Sequence, residues 1–228
     1  MGHGTPNASR NGLFSQTLKE INLKNKNIIQ SVSLACNEEF AIQCYTKGES
    51  AFYRLGQFPL NSSAINDIIW DDEVHFLTNI KKISIALDDN SNRFYLLCNG
   101  NDDKLYSQGG FIEKIQKNDI TQITMKTTHK LQLFVEKVDN CCCCSGGLGS
   151  YAVAMSNGYV SVAYSAWVSL HGFDIVGHFA DDGSLSWGNI EQVNTLEHFH
   201  PRALAMIPFR GEILGSFEKR VGKGVFSG

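Results

Sequence analysis

Four consecutive cysteines, Cys141, Cys142, Cys143 and Cys144, are the densest set of reactive side chains in the sequence. Thiolates ligate soft metals and exchange disulfides. A structural zinc site, however, spaces its ligands by two to four residues so that the chain can bend around the ion. Four adjacent cysteines in extended chain point alternately to opposite sides, Cys141 and Cys143 to one and Cys142 and Cys144 to the other, so they cannot converge on one metal. The run reads as a thiol cluster open to oxidation or intermolecular crosslinking, or, more plainly, as a Gly-flanked loop without chemistry. His198-Phe199-His200 would bring two imidazoles to one side of a strand, with His75, His171 or His178 as conceivable companions. Without a placed carboxylate this is weak evidence for a metal, and ordinary hydrogen-bonded histidines before Pro201 are the simpler reading. The acidic pairs Asp71-Asp72, Asp88-Asp89, Asp102-Asp103 and Asp181-Asp182 all fall in turn-like stretches, where adjacent carboxylates are usually solvated. Their spacing fails the calcium-loop pattern of alternating oxygen ligands. Trp70, Trp167 and Trp187 could stack on sugars or bases, but core or interface packing is the default for such aromatics.

No nucleophile elbow, phosphate-binding loop or dinucleotide fingerprint is present, and Gly146–Gly149 does not join a strand to a helix. The sequence therefore predicts neither an enzyme nor a cofactor. Twenty Lys and Arg against 23 Asp and Glu give a net charge of −3, so no basic face for nucleic acid is expected. A charged fraction of only 19% leaves little repulsion between copies and favours self-association. No 18-residue apolar run suggests a membrane span, and the polar start, with no apolar stretch, predicts no export signal. Seven cysteines then belong to a reduced, cytoplasmic pool, with Cys36, Cys44 and Cys98 packing as small hydrophobes.

The elements that must position these groups are mainly strands. Asn157-Gly158 is a strong hairpin signal, because a type I′ turn needs φ > 0 at both central residues. Folding there pairs Met155 with Val160, Val153 with Val162 and Tyr151 with Tyr164 on one apolar face. The opposite face carries Ala152, Ala154, Ser161 and Ala163, small enough for a helix or a second subunit to approach closely. Alternation predicts further strands over 28–36, 40–46, 50–55, 93–98, 120–125, 131–138 and 173–179, two runs within 74–87, and a last pair over 203–207 and 212–217. Gly109-Gly110 reads as a chain break. Two segments have helical spacing. Over 13–24 the stripe is Leu13, Phe14, Leu18 and Ile21; over 185–199 it is Leu185, Ile190, Val193, Leu196 and Phe199. The expected fold is mainly β: an antiparallel β-sandwich with an N-terminal amphipathic helix and a short helix near the C-terminal third. Residues 1–26 would form an arm and projecting helix, and 27–228 one sandwich domain. No repeat of fixed period is visible, which argues against a propeller.

This order of elements resembles the cypovirus polyhedrins, the matrix proteins of viral occlusion bodies. Gly4-Thr5-Pro6-Asn7 before Leu13-Phe14 is similar to the family's arm leading into a helix. Ile83–Leu87 followed by Asn92–Leu97 and a Gly-containing turn is similar to its central hairpin. Trp187, Glu191, Val193 and Asn194 resemble a pattern near its C-terminal third. The likeness covers most of the chain as an order of elements, while the four-cysteine run and the shorter length depart from it. The resemblance implies a structural protein that assembles with itself, as a homotrimer and then a crystalline lattice, around virus particles in the cytoplasm of an infected cell. It also implies lattice contacts through Leu13, Phe14, Leu18 and Ile21. Alkaline pH would dissolve such a matrix by ionising its seven Cys and seven Tyr. The alternative from the residues themselves is a lectin-like β-sandwich or a toxin's receptor-binding module. Trp and Tyr beside Asp- and Asn-rich turns are the residue types that hold sugar hydroxyls.

Overall fold

A computed structural model describes residues 28–59, 68–117, 120–128, 130–135, 151–166, 171–180, 182–192, 199–209 and 212–221. Five strands form the first sheet: β1 (Ile29–Cys36), β2 (Phe40–Lys47), β3 (Ser50–Gln57), β4 (Ile69–Trp70) and β5 (Val74–Thr78). The middle sheet holds β6 (Ile80–Leu87), β7 (Arg93–Gly100), β8 (Leu105–Lys117), β9 (Ile120–Thr127) and β10 (Gln132–Val135). The third holds β11 (Tyr151–Ser156), β12 (Tyr159–Ala166), β13 (His171–Phe179) and β14 (Leu185–Gln192), followed by a hairpin of β15 (Phe199–Phe209) and β16 (Glu212–Val221). Every pairing is antiparallel and, within each sheet, mostly between strands consecutive in sequence.

The sheets pack face to face, as in a sandwich, but the stack continues to a third layer. The middle strand β7 explains why. Its run Phe94-Tyr95-Leu96-Leu97-Cys98 is apolar without alternation because both of its faces are buried. Phe94, Leu96 and Cys98 join Ile42, Cys44 and Leu55 in the core shared with the first sheet. Tyr95 and Leu97 join Val153, Met155, Val160 and Val162 in the core shared with the third. Each of these larger side chains contributes roughly 1.5–3 kcal/mol on burial. The first strands of successive sheets, β1, β6, β11 and β15, lie beside one another. Propeller blades are also set side by side by their first strands, although no repeat of fixed period marks such a plan in the sequence.

An inner edge strand leaves main-chain groups to satisfy. Here β1 supplies serines for β6. Ile83 N–H donates to Ser31 Oγ at 3.2 Å, and Ile85 N–H to Ser33 Oγ at 3.0 Å. At one end of the stack the turns clasp one another. Asn37 Nδ2 donates to the carbonyls of Asp88 and Ser91 at 3.1 and 2.8 Å. The Asp88 and Asp89 carboxylates in turn reach the Asn157-Gly158 turn of the third sheet.

The β11–β12 hairpin has the expected register, from Tyr151 opposite Tyr164 to Met155 opposite Val160. Asn157 and Gly158 have φ of 53° and 79°, as a type I′ turn requires. Its apolar face meets the middle sheet. Its small face is covered by the same chain, since β15 lies across β11, β12 and β13. Neither a helix nor a second subunit is needed there.

Three expectations are corrected. Residues 185–192 form strand β14, not a helix. Gly183, at φ 82°, turns the chain directly back along β13, and Leu185 pairs with Phe179. Within β14, Leu185 and Trp187 are half-buried while Ser186 and Gly188 are exposed, a period of two. Gly109-Gly110 lies inside β8 rather than breaking the chain. A Cβ on Gly110 would fall 2.1 Å from the Lys126 carbonyl oxygen and 2.6 Å from the Phe94 ring, so this glycine serves close approach. Cys36 is exposed, whereas Cys44 and Cys98 are fully buried as expected. The expected helix over 13–24 lies outside the described residues, and with it the assembly residues Leu13, Phe14, Leu18 and Ile21. All four members of the thiol cluster, Cys141, Cys142, Cys143 and Cys144, also lie outside them.

Candidate binding site

The strongest candidate is a cleft of about 440 Å³ between the middle and third sheets. The middle sheet presents Tyr95, Ser107, Thr128 and Gln132; the β13–β14 turn presents Asp182, Gly183, Ser184, Leu185 and Trp187. Concave sites of this size with a few convergent polar groups are typical of small-ligand sites.

Packing fixes the indole. A Cβ at residue 177 would fall 2.7 Å from Trp187 Cε3, so Gly177 makes the space for that ring. Tyr95 and Phe134 meet the Trp187 ring edge-on, with centroids 5.7 and 5.4 Å away. Trp187 stays half-exposed, with part of its ring at the cleft. Tyr95 is buried beside it, and burial pushes its phenol well above the usual range despite a hydrogen bond with Ser107.

The carboxylate of the site is placed by its own turn. Asp182 Oδ1 accepts Ser184 N–H at 2.8 Å and Ser184 Oγ–H at 2.6 Å, an Asx turn. Those hydrogen bonds hold Asp182 below its ordinary value, so it is ionised at neutral pH. Behind it, Arg93 Nη1 donates to the Phe179 carbonyl at 3.3 Å and ties the turn to the middle sheet. Thr128 Oγ1 donates to the Gly109 carbonyl at 3.1 Å, which fixes the opposite wall. A fixed indole, a carboxylate, an amide and four hydroxyls can together stack on a ring and accept or donate hydrogen bonds around it.

The other expected chemistry disperses. Asp71-Asp72 and Asp102 are exposed and lie outside the strands, while Asp103 pairs with Lys81 at 2.7 Å. Asp88 departs from expectation. It is fully buried and accepts main-chain hydrogen bonds from Asn90 at 2.9 Å and Gly158 at 2.6 Å. His75 packs edge-on to Phe52, and His178 lies against Tyr159. His198 and Trp167 lie outside the described residues. Among the described residues, no three His, Cys, Asp or Glu side chains are placed to hold a metal. The sequence singled out Asp181-Asp182 and Trp187 separately but missed Tyr95, Ser107, Thr128 and Gln132. The available signal was the short Asp-Gly turn, which brings the aspartate and tryptophan to one end of a hairpin.

No family model matches the chain, and no curated protein does. Among solved structures it is similar to a Trypanosoma rangeli sialidase in complex with 2,3-difluorosialic acid. That likeness has a TM-score of 0.49 at 11% identity, over 84% of this chain and 34% of that one. It is also similar to the same sialidase in complex with sialic acid, with a TM-score of 0.44 at 10% identity, over 85% of this chain and 35% of the other. The chain thus spans about a third of the length of these structures. No residue role is carried over from them.

Proposed function

We propose that the chain is a carbohydrate-binding module that takes a sugar in the cleft between its middle and third sheets. The observation that carries this reading is the half-exposed Trp187, locked by Gly177, Tyr95 and Phe134 beside Asp182 and Gln132. An apolar ring face and hydrogen-bond acceptors at its rim suit the two surfaces of a sugar. Binding is favoured over hydrolysis because, among the described lining residues, Asp182 is the only carboxylate. The usual glycosidase mechanism needs two, set across the bond to be cleaved. Screening the protein on immobilised glycans, followed by calorimetry on the best ligand, tests the reading. Asp182→Ala is expected to weaken binding about tenfold or more, the loss of one or two hydrogen bonds to a charged acceptor. Trp187→Ala is expected to abolish it, with the thermal midpoint measured alongside to separate folding from binding. Retention of no glycan at millimolar concentration would overturn the proposal.

The second reading is the polyhedrin-like one: a protein that assembles with itself into a crystalline matrix around virus particles. Exposed aliphatic side chains on all three sheets favour it, with Ile69 and Val74 on the first, Ile115 and Leu133 on the middle, and Val176 and Ile190 on the third. Exposed apolar positions of this kind invite contact between molecules. Expression in cells should then give micrometre crystals. A monomer by sedimentation at high concentration, with no particles in the cells, would exclude it.

A further inference from the structure

We propose that the seam between the middle and third sheets holds a small monovalent carboxylate anion among Lys82, Asn99 and Tyr151. Lys82 on β6 pairs in register with Asn99 on β7, so the two side chains are cross-strand neighbours on one face. That face is the one toward the third sheet. It also carries Ala86 on β6 and Tyr95 and Leu97 on β7, which belong to the core shared with β11 and β12. Tyr151, the first residue of β11, meets this face, and Lys82 Nζ sits 4.8 Å from its ring centroid.

The three groups share an unusual deficit. Asn99 is fully buried, and neither its Nδ2 nor its Oδ1 has a hydrogen-bond partner. Tyr151 is buried too, and its hydroxyl makes no hydrogen bond of good geometry, although the Asn99 main chain lies near it. Lys82 is half-buried and, among the described residues, its ammonium faces no carboxylate. Orphaned buried polar atoms are costly and rare; two of the three here, Asn99 Nδ2 and the Tyr151 hydroxyl, can donate to an anion, while Asn99 Oδ1 can only accept and turns away from it. Burial also holds the Lys82 amine below its ordinary value, the behaviour of a cation lacking a counter-charge. The available donors are the ammonium, the phenol O–H and the amide N–H. A carboxylate offers two oxygens with about four acceptor sites for them. One positive charge balances one negative charge, whereas a doubly charged oxyanion would leave excess charge at the seam. The partial exposure of Lys82 makes it the point of entry.

None of Lys82, Asn99 and Tyr151 lines the cleft at Trp187. The probe is sodium acetate, exchanged for sodium chloride at constant ionic strength. Wild-type protein should show a saturable rise in thermal midpoint, about 3–6 °C at ten times the dissociation constant. Its addition should broaden the acetate methyl resonance, and chloride should not compete fully. Lys82→Met, which keeps the stem, should abolish both effects. Tyr151→Phe, which keeps the ring, should weaken binding about tenfold, the loss of one hydrogen bond. If Lys82→Met does not fold, line broadening on wild type and Tyr151→Phe decides. Identical midpoints in acetate and chloride with no broadening would overturn the proposal, as would broadening unchanged in the variants. Either result would assign the seam to water alone.

Discussion

Between pH 9 and 12 the folded protein is expected to lose most of its stability, so that urea midpoints measured at pH 7, 9, 10 and 11 fall steeply above pH 9. The groups responsible are buried acids that are neutral in the fold. Burial pushes the Cys98 thiol from 9.0 up to about 12. Burial raises Cys44 further still, with the neighbouring Cys98 adding to the effect. The Tyr95 and Tyr151 phenols are raised by burial, and Tyr45 by burial and then by its hydrogen bond to Glu73. The unfolded chain releases these protons near their ordinary values, while the folded chain keeps them. Above pH 9 the unfolded state therefore binds fewer protons, and stability declines with pH until the folded groups also ionise. Cys98 alone accounts for roughly 2–3 kcal/mol at pH 11, at about 1.4 kcal/mol per pH unit. The other groups act with the same sign, against a typical total of about 5–15 kcal/mol. Circular dichroism and tyrosinate absorbance should move together through one transition. A midpoint constant from pH 8 to 11 would contradict this. Cys98→Ala should flatten the slope with pH, whatever it does to stability at neutral pH. The result also bears on a self-assembled matrix. Alkali would dissolve it through subunits that unfold and then ionise, rather than by repulsion between folded, already charged neighbours.

What could be read from sequence follows from the range of the forces involved. The Asn157-Gly158 hairpin was legible to the residue because turn type and alternation are local, and register follows from them. Apolar Phe94–Cys98 was legible as a strand, but not as the shared layer between two cores. Burial on two faces depends on which sheets come to lie on either side. The stacked plan was hidden because the sheets start at Ile29, Ile80, Tyr151 and Phe199, at unequal intervals that leave no fixed period. Leu185–Gln192 has apolar residues whose spacing suits helix as well as strand. Its outcome was settled by Gly183 and by the space at Gly177 for Trp187. The cleft was illegible for the same reason. Tyr95, Ser107, Thr128 and Gln132 come from four places in the middle sheet, and only the packing of two sheets brings them to Asp182. Gly110 shows the converse error: a residue type that usually breaks chains was there to let Phe94 and Lys126 come close.

Asp88→Ala is expected to cost about 2–4 kcal/mol, measured as a fall in urea midpoint with an unchanged slope. Acidic pairs in turns are usually dispensable, so the size of the effect tests the clasp between sheets. The Asp88 side chain has no solvent exposure. One oxygen accepts Asn90 N–H at 2.9 Å, which closes its own turn. The other accepts Gly158 N–H at 2.6 Å, which fastens the third sheet to the middle one. Truncation orphans two main-chain donors at once and removes charge-assisted bonds, the stronger kind. Asp89, half-exposed, accepts Asn157 N–H at 3.1 Å and Ser156 Oγ–H at 3.0 Å. Water can replace part of that, so Asp89→Ala should cost about 1 kcal/mol. Asp88→Asn should recover only part of the loss, because both oxygens accept N–H donors and an amide offers one oxygen. Hydrogen exchange gives a local readout. The Gly158 amide should lose protection in Asp88→Ala, while amides of β2 and β3, on the far side of the middle sheet, should change only as much as global stability does. Equal costs for Asp88→Ala and Asp89→Ala, both under about 0.5 kcal/mol, would mean that the two cores hold the sheets together without the turns. In that case the β6–β7 loop would be free to vary. If the larger cost is found, the third sheet and its share of the Trp187 cleft depend on a carboxylate 94 positions before Asp182 in the sequence.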